Sequence, residues 1–424
     1  MRQDSVPFVP TAASGYSIRG GVLHCERAPV PWLARCFGTP LYLMSADSVR
    51  RAIAEVRRAF ADFSPLICYA VKANSTLGLI RLVAREGCGA EVVSAGELFR
   101  ALGAGVAPGL IIFSGAGKQE RELEAGLRAG VMCFNVESIP ELELLSRVAR
   151  RTGKRARVAL RINPHVDAHT HRYITTGTNE TKFGIDWTVA ERAYVLASRL
   201  PGIEVAGIHT HIGSQITGQG PFIAAARRID ALLDRLARRG IRLQWRDLGG
   251  GMGVSYKPGQ RRFDPAALAR SISPMLRARP MRLILEPGRF LVGEAGALVA
   301  QVTYVKRGVR KTFAITDAGM DNLIRPCLYG AWHGVVPVKA RHGRSTRMDV
   351  VGPVCESSDF LALGRRLPPL SAGDYLAVMT AGAYAREMSS NYNGRCRAAE
   401  VMVDGRKVQL LRKRESFEDL VRGE

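Results

Sequence analysis

Between residues 66 and 286, short apolar runs alternate with amphipathic stretches, and this rhythm constrains the fold more than any other feature of the chain. The apolar runs fall at 66–71, 89–93, 109–114, 131–136, 157–163, 204–210, 242–248 and 282–286. Between them, segments such as 94–104, 118–129, 138–152 and 222–239 repeat apolar residues at helical spacing. A strand buried on both faces reads as a continuous apolar run, and helices must cover it. Eight such units predict an α/β fold, a parallel (β/α)8 barrel, with functional residues gathered beyond the C-terminal strand ends.

From about residue 296 the pattern changes. Apolar strand-like runs at 297–305, 312–316, 374–379 and 399–403 are separated by Gly, Pro and Asp, which predicts an all-β C-terminal domain. Near the start, Y-S-I-R-G-G-V-L-H-C (16–25) predicts a hairpin turning at Gly20-Gly21, expected to join that β domain. The expected organisation is an N-terminal segment 1–35 of the β domain, a barrel at 36–290, and the β domain at 291–424. A long polar loop at 164–185 follows the fifth strand and is expected to close over a substrate.

The net charge of +23 raises the question of nucleic acid. Its arginines lie in helical stretches such as 147–157 and 226–239, where acidic residues or apolar spacing interrupt them. Without a basic tail or interleaved aromatics, this predicts a solvated arginine surface, no nucleic-acid partner, and compatibility with an anionic substrate. The apolar runs fall far short of a membrane span, and the opening M-R-Q-D-S-V-P-F-V-P lacks the apolar core of a signal peptide. A cytoplasmic protein without membrane contact is expected. The eight cysteines show neither C-x-x-C nor zinc spacing and are expected to be reduced.

Polar residues concentrate where the strands end. Lys72 closes the first, in L-I-C-Y-A-V-K-A-N. A lysine beside a buried strand suits a Schiff base with an aldehyde cofactor, although a side chain reaching solvent explains the segment equally well. Asn163 ends the fifth strand, and His209 and His211 end the sixth. The histidine pair suits a metal or a ring stacked on a flat cofactor; no second histidine pair accompanies it, so no metal is expected. Gly249-Gly250-Gly251 follow the seventh strand, where residues without Cβ let backbone N–H groups approach a phosphate. Glu286 closes the eighth, placed to hold a protonated pyridine nitrogen or to pair with Arg289.

Taken in order, Y-A-V-K-A-N (69–74), F-N-V-E-S (134–138), K-F-G-I (182–185), H-I-G-S-Q (211–215), G-G-G (249–251), E-P-G-R (286–289), I-R-P-C-L-Y (324–329), G-P-V-C-E-S-S-D (352–359) and G-A-Y…S-N-Y-N (382–393) span most of the chain. In these motifs the chain resembles the fold type III pyridoxal-phosphate decarboxylases. The resemblance implies pyridoxal 5'-phosphate carried on Lys72, His211 stacked on its ring, and Glu286 at its pyridine nitrogen. It implies a phosphate site from Ser214, Gly250, Gly251, Gly288, Arg289 and Tyr384. It implies that Arg289, Arg325, Tyr329 and Tyr384 face the substrate. Cys355, a candidate proton donor alongside Lys72, and Glu356 would enter from the second subunit of a homodimer with shared active sites.

The implied substrate is a small amino acid with a distal carboxylate, which a planar guanidinium binds bidentately. Relatives acting on ornithine, lysine or arginine commonly carry an aspartate after the cysteine, whereas Glu356 here favours meso-diaminopimelate. Asp321-Asn322, Arg386-Glu387 and Cys396 depart from the family pattern. They leave a related substrate open, such as a basic amino acid, a carboxylated polyamine or a carrier-linked amino acid.

Overall fold

In a computed structural model of the chain, residues 8–167 and 182–424 are described. Eight parallel strands follow the expected rhythm: Leu66–Ala70, Gly89–Val92, Ile111–Phe113, Cys133–Val136, Ala156–Asn163, Ile203–His209, Trp245–Asp247 and Arg282–Leu285. Each pairs with its neighbour in chain order, and the last pairs back to the first through Ile284 opposite Leu66, closing the barrel. Helices connect them where the sequence places amphipathic segments, at Ala95–Gly103, Glu120–Ala129, Ile139–Arg151 and Gly220–Arg238. Two of these start at serine caps: Ser94 accepts from the Glu97 N–H, and Ser138 from the Glu141 N–H.

The barrel interior is filled by Leu66, Cys68, Ile112, Cys133, Ala159, Trp245 and Ile284, all buried. Burial of each large apolar side chain contributes about 1.5–3 kcal/mol, which fixes the frame on which the strand ends stand. The chain separates into two compact units, and Ile53–Gly253 with Arg262–Phe290 form the barrel unit.

The second unit combines the N-terminal part up to Ala52 with Val254–Arg261 and Leu291–Glu424. The strands expected after 296 are present as Gly296–Arg307, Thr312–Thr316, Tyr375–Met379 and Ala399–Asp404. The sheet also contains Leu41–Ser45, paired on one side with Gly296–Arg307 and on the other with Ala399–Asp404. An opening boundary at 36 therefore falls ahead of a strand that belongs to this sheet. The hairpin forms as Tyr16–Arg19 against Val22–Cys25, with both turn glycines at positive φ. It builds a small sheet of its own with Ala28–Pro29, tied to the rest of its unit by the Leu23 N–H donating to the Val338 carbonyl.

Of the loop at 164–185, positions 168–181 lie outside the described residues. Its return is anchored by Ile185–Asp186, which extends the barrel sheet beside Ile162–Asn163. Among the described residues no helix is long and apolar enough to cross a membrane. Surface arginines are taken up by carboxylates, as in Arg151 with Glu120 and Glu124 and Arg239 with Glu191.

Candidate active site

Lys72 sits in a single helical turn, Val71–Ala73, directly after the first barrel strand. Its Nζ donates to both oxygens of Glu91, at 2.9 and 2.8 Å. Glu91 lies inside the second strand and is almost wholly buried, so the amine of the partly exposed Lys72 side chain is held by the neighbouring strand.

Glu286, at the end of the eighth strand, does not pair with Arg289. Its Oε1 accepts from Asn135 Nδ2 at 3.1 Å, and its Oε2 lies 3.1 Å from His209 Nε2. Asn135 Nδ2 also donates to Ser114 Oγ at 3.0 Å, which fixes the amide from below. Burial pushes the Glu286 carboxyl upward, but His209 and the charge of Lys72 outweigh it and hold the group at about 2. Asp247, one strand away, shows the opposite: burial and the adjacent Glu286 push its carboxyl well above the ordinary range. Its Oδ1 accepts from the Gly249 N–H at 2.8 Å.

His211 is held by a different partner. The Gly250 N–H donates to its Nδ1 at 3.1 Å, which leaves the proton on Nε2. Burial, followed by the charges of Arg161 and Lys72, holds the imidazole well below its usual value, so the ring is neutral. A neutral planar ring suits stacking on an aromatic cofactor.

The glycine run is a built cradle. A Cβ at Gly250 would stand 2.2 Å from the Glu286 carbonyl oxygen, and one at Gly251 would stand 2.4 Å from that of Gly213. Gly249 and Gly251 also have positive φ. Arg289 Nη2 donates to Ser214 Oγ at 3.1 Å, joining the loops after the sixth and eighth strands. Gly288 packs against Ala70 and Ala73, beside the Lys72 turn.

An ionised carboxylate, an amine, a neutral planar ring and a glycine-lined loop with Arg289 and Ser214 thus stand on the strand ends of one barrel. This donor set fits pyridoxal phosphate: the amine for the aldehyde, the carboxylate for the ring nitrogen, and the glycine loop for the phosphate.

The remaining expected residues lie in the second unit. Arg325 is buried at the start of a short helix, Arg325–Tyr329, with Tyr329 half-buried. Arg325 Nη1 lies 2.9 Å from His333 Nε2, and its guanidinium stacks 4.7 Å from the centre of the Tyr256 ring. His333 Nδ1 lies 2.9 Å from the Met379 carbonyl, so Nδ1 donates there and Nε2 accepts from the arginine. Tyr384 is half-buried with φ of +56°.

Cys355 and Glu356 are exposed on a loop whose ends Asp359 ties down by accepting from the Val354 and Met320 N–H groups, each at 2.6 Å. The Cys355 N–H donates to Asn393 Oδ1 at 2.8 Å. The Tyr392 phenol is pushed up by its hydrogen bond to Glu356, so S-N-Y-N braces the cysteine loop.

Several partners are not evident from the sequence reading. Glu91 is signalled only by a carboxylate within a buried strand, Asp247 by a polar end to an apolar run, and His333 by nothing local. Two motifs acquire physical reasons. Asn135 of F-N-V-E-S supports Glu286, and Glu137 takes Arg161 Nη1 at 2.9 Å. Arg161 stacks on Phe183 of K-F-G-I and reaches the His211 carbonyl. Among the departures, Asp321 is buried with Oδ2 3.4 Å from Arg395 Nε, while the Asn322 carbonyl accepts from the Tyr42 phenol at 2.6 Å.

Residues 46–293 match the family model described as pyridoxal-dependent decarboxylase, pyridoxal binding domain. The diaminopimelate decarboxylase of Neisseria meningitidis serogroup A is 47% identical over 95% of this chain and 98% of its own. The crystal structure of diaminopimelate decarboxylase from Helicobacter pylori complexed with L-lysine is 40% identical, covers 93% of this chain and 98% of its own, and superposes with a TM-score of 0.90. That from m. jannaschii, in co-complex with L-lysine, is 36% identical, covers 97% of this chain and 98% of its own, and superposes with a TM-score of 0.93.

Proposed function

The chain belongs to the pyridoxal-dependent decarboxylases, and from that premise we propose that it converts meso-2,6-diaminopimelate to L-lysine and carbon dioxide, the last step of lysine biosynthesis. The observation that carries the substrate is near-full-length similarity to diaminopimelate decarboxylases, 47% identical over 95% of the chain. Glu356 after Cys355, together with Arg325, supports it.

Pyridoxal phosphate, when bound, supplies an electron sink for the pair left as the bond to the carboxylate breaks. Lys72 Nζ would hold the cofactor through its aldehyde. The Glu286 carboxylate would accept from the cofactor's ring nitrogen and favour its protonated form. His211 offers its neutral face to the ring. Ser214, Gly250, Gly251, Gly288, Arg289 and Tyr384 take the phosphate.

For the substrate, Arg325 and Tyr329, with Arg289 and Tyr384, take the distal carboxylate, and Glu356 takes the distal ammonium. Cys355 Sγ or Lys72 Nζ returns a proton to the α-carbon. Exposure of Cys355 and Glu356 on a braced loop supports a homodimer in which each subunit lends them to its partner. Eight free thiols agree with a cytoplasmic location.

The cofactor-loaded protein is incubated separately with meso-diaminopimelate, ornithine, lysine and arginine, and carbon dioxide and amine products are measured. Lysine formed from diaminopimelate alone is the expected result. Turnover of another substrate in its place would overturn the assignment and direct attention to Arg386-Glu387. Co-expression of two inactive forms, Lys72→Ala and Cys355→Ala, tests sharing. With shared sites each mixed dimer holds one intact site of two, so the randomly paired population regains roughly a quarter of full activity; unshared sites regain none.

A further inference from the structure

We propose that His209 is a positioning residue for the decarboxylation: with Asp247 it forms a buried cluster behind Glu286 that keeps this carboxylate an acceptor for the cofactor's ring nitrogen. The proposal rests on the pyridoxal-phosphate reading above and assigns a task to the histidine that reading leaves idle.

His209 and His211 leave the same strand two residues apart but meet different partners. His211 Nδ1 takes the Gly250 N–H, whereas His209 Nε2 lies 3.1 Å from Glu286 Oε2. One side-chain atom each from His209, Asp247 and Glu286 falls within 4.8 Å of the other two, and all three residues are buried. His209 Nδ1 has no hydrogen-bond partner among the described residues, and the Asp247 carboxyl is hydrogen-bonded to Glu286. Lys72 bears on Glu286 and Glu91 on Asp247, and the buried His211, Cys68 and Cys133 also feel the cluster.

Two carboxylates this close and this buried do not both ionise; one keeps a proton. The imidazole decides which. It lies near both but hydrogen-bonds Glu286, at 3.1 Å, so the negative charge settles on Glu286 and the proton on Asp247. The opposite displacement of the two carboxyls, one down and one up, follows from that asymmetry. Remove the imidazole, and burial favours moving the proton onto Glu286. A protonated Glu286 no longer accepts from a ring N–H, so the ring nitrogen loses its proton and the electron sink weakens.

The test uses the full-length protein loaded with 15N-labelled pyridoxal phosphate. Wild type, His209→Gln and His209→Leu are compared by the ring-nitrogen chemical shift and by kcat and KM for diaminopimelate. The Leu variant is expected to move the shift toward the unprotonated position and to lower kcat about tenfold or more, with KM held within about twofold. The Gln variant keeps an N–H donor near Glu286 and is expected to retain a protonated ring and most of kcat. An unmoved shift in the Leu variant, or equal loss in both variants, overturns the proposal.

Should the Leu variant fail to fold, Asp247→Asn serves in its place. It fixes the neutral partner and is expected to leave the ring protonated; an unprotonated ring there also overturns the proposal. A wild-type protein that forms no Schiff base absorbance sinks the cofactor reading itself. Differences confined to the variants bear on His209 alone.

Discussion

Gly250→Ala puts the cradle under a defined load. The added Cβ would stand 2.2 Å from the Glu286 carbonyl oxygen, and ordinary contact begins near 3.4 Å. The two backbones must therefore part by about 1.2 Å, because a carbonyl cannot swing aside as a flexible side chain can. Over-packing of a tight interior costs about 1–3 kcal/mol. The displacement also acts on function, since the Gly250 N–H donates to His211 Nδ1 and Glu286 is the proposed acceptor for the ring nitrogen. A misplacement of about 1 Å at a catalytic group costs on the order of 100-fold in rate. Urea unfolding of the cofactor-free protein reads the first effect. A cofactor titration followed by absorbance, with kcat of the saturated enzyme, reads the second. Gly218→Ala, whose new methyl group meets nothing within 4 Å, is the control. A Gly250→Ala protein with wild-type cofactor affinity and kcat would refute the reasoning.

Three further outcomes follow from the same geometry. Asp247 has a carboxyl raised in the folded state, so the stability it contributes is fully present below its unfolded value of about 3.9 and is lost as pH rises toward the folded value. Asp247→Asn is therefore expected to gain on wild type as pH rises from 4 to 9 in cofactor-free urea midpoints, and parallel curves would contradict it. Lys72→Ala leaves the buried Glu91 carboxylate without the Nζ that it binds, and is expected to lower stability by about 1–3 kcal/mol before any cofactor is added. Unchanged unfolding midpoints would show that water replaces the amine. Arg325→Lys gives up the fork that meets His333 and is proposed to take the substrate's distal carboxylate, and is expected to raise KM for diaminopimelate at least tenfold, about 1.4 kcal/mol, with a smaller change in kcat; a KM within twofold of wild type would remove Arg325 from substrate binding.

The barrel is legible because its signal is repetitive and local: each strand is an apolar run ended by a polar residue, and each helix carries its own periodicity. Leu41–Ser45 is missed for the complementary reason. It is buried throughout and shows no alternation, and nothing within five residues says which sheet will take it. Lys72, Glu286 and the glycine run are legible because a charged or Cβ-less residue beside an apolar strand needs an explanation wherever it stands. Their supports are another matter. Asn135 is 151 residues from the Glu286 it steadies, and Lys72 is 19 from Glu91, so each pairing exists only once neighbouring strands align. Sequence also suggested Arg289 as the partner of Glu286, three residues away. The structure turns Arg289 toward Ser214 and gives the carboxylate to residues from two other strands.

The strand at Leu41–Ser45 has a further meaning when the chain is considered in the order in which it is made. Both of its neighbours, Gly296–Arg307 and Ala399–Asp404, leave the ribosome about 250 or more residues later. The barrel unit, by contrast, has all its strands once Leu285 has emerged. During that interval an apolar segment, L-Y-L-M, has neither edge paired, the condition under which strands recruit foreign partners. Ribosome-bound chains halted just after Leu285 has cleared the exit tunnel should therefore hold a protease-resistant barrel while remaining cleavable near residue 41.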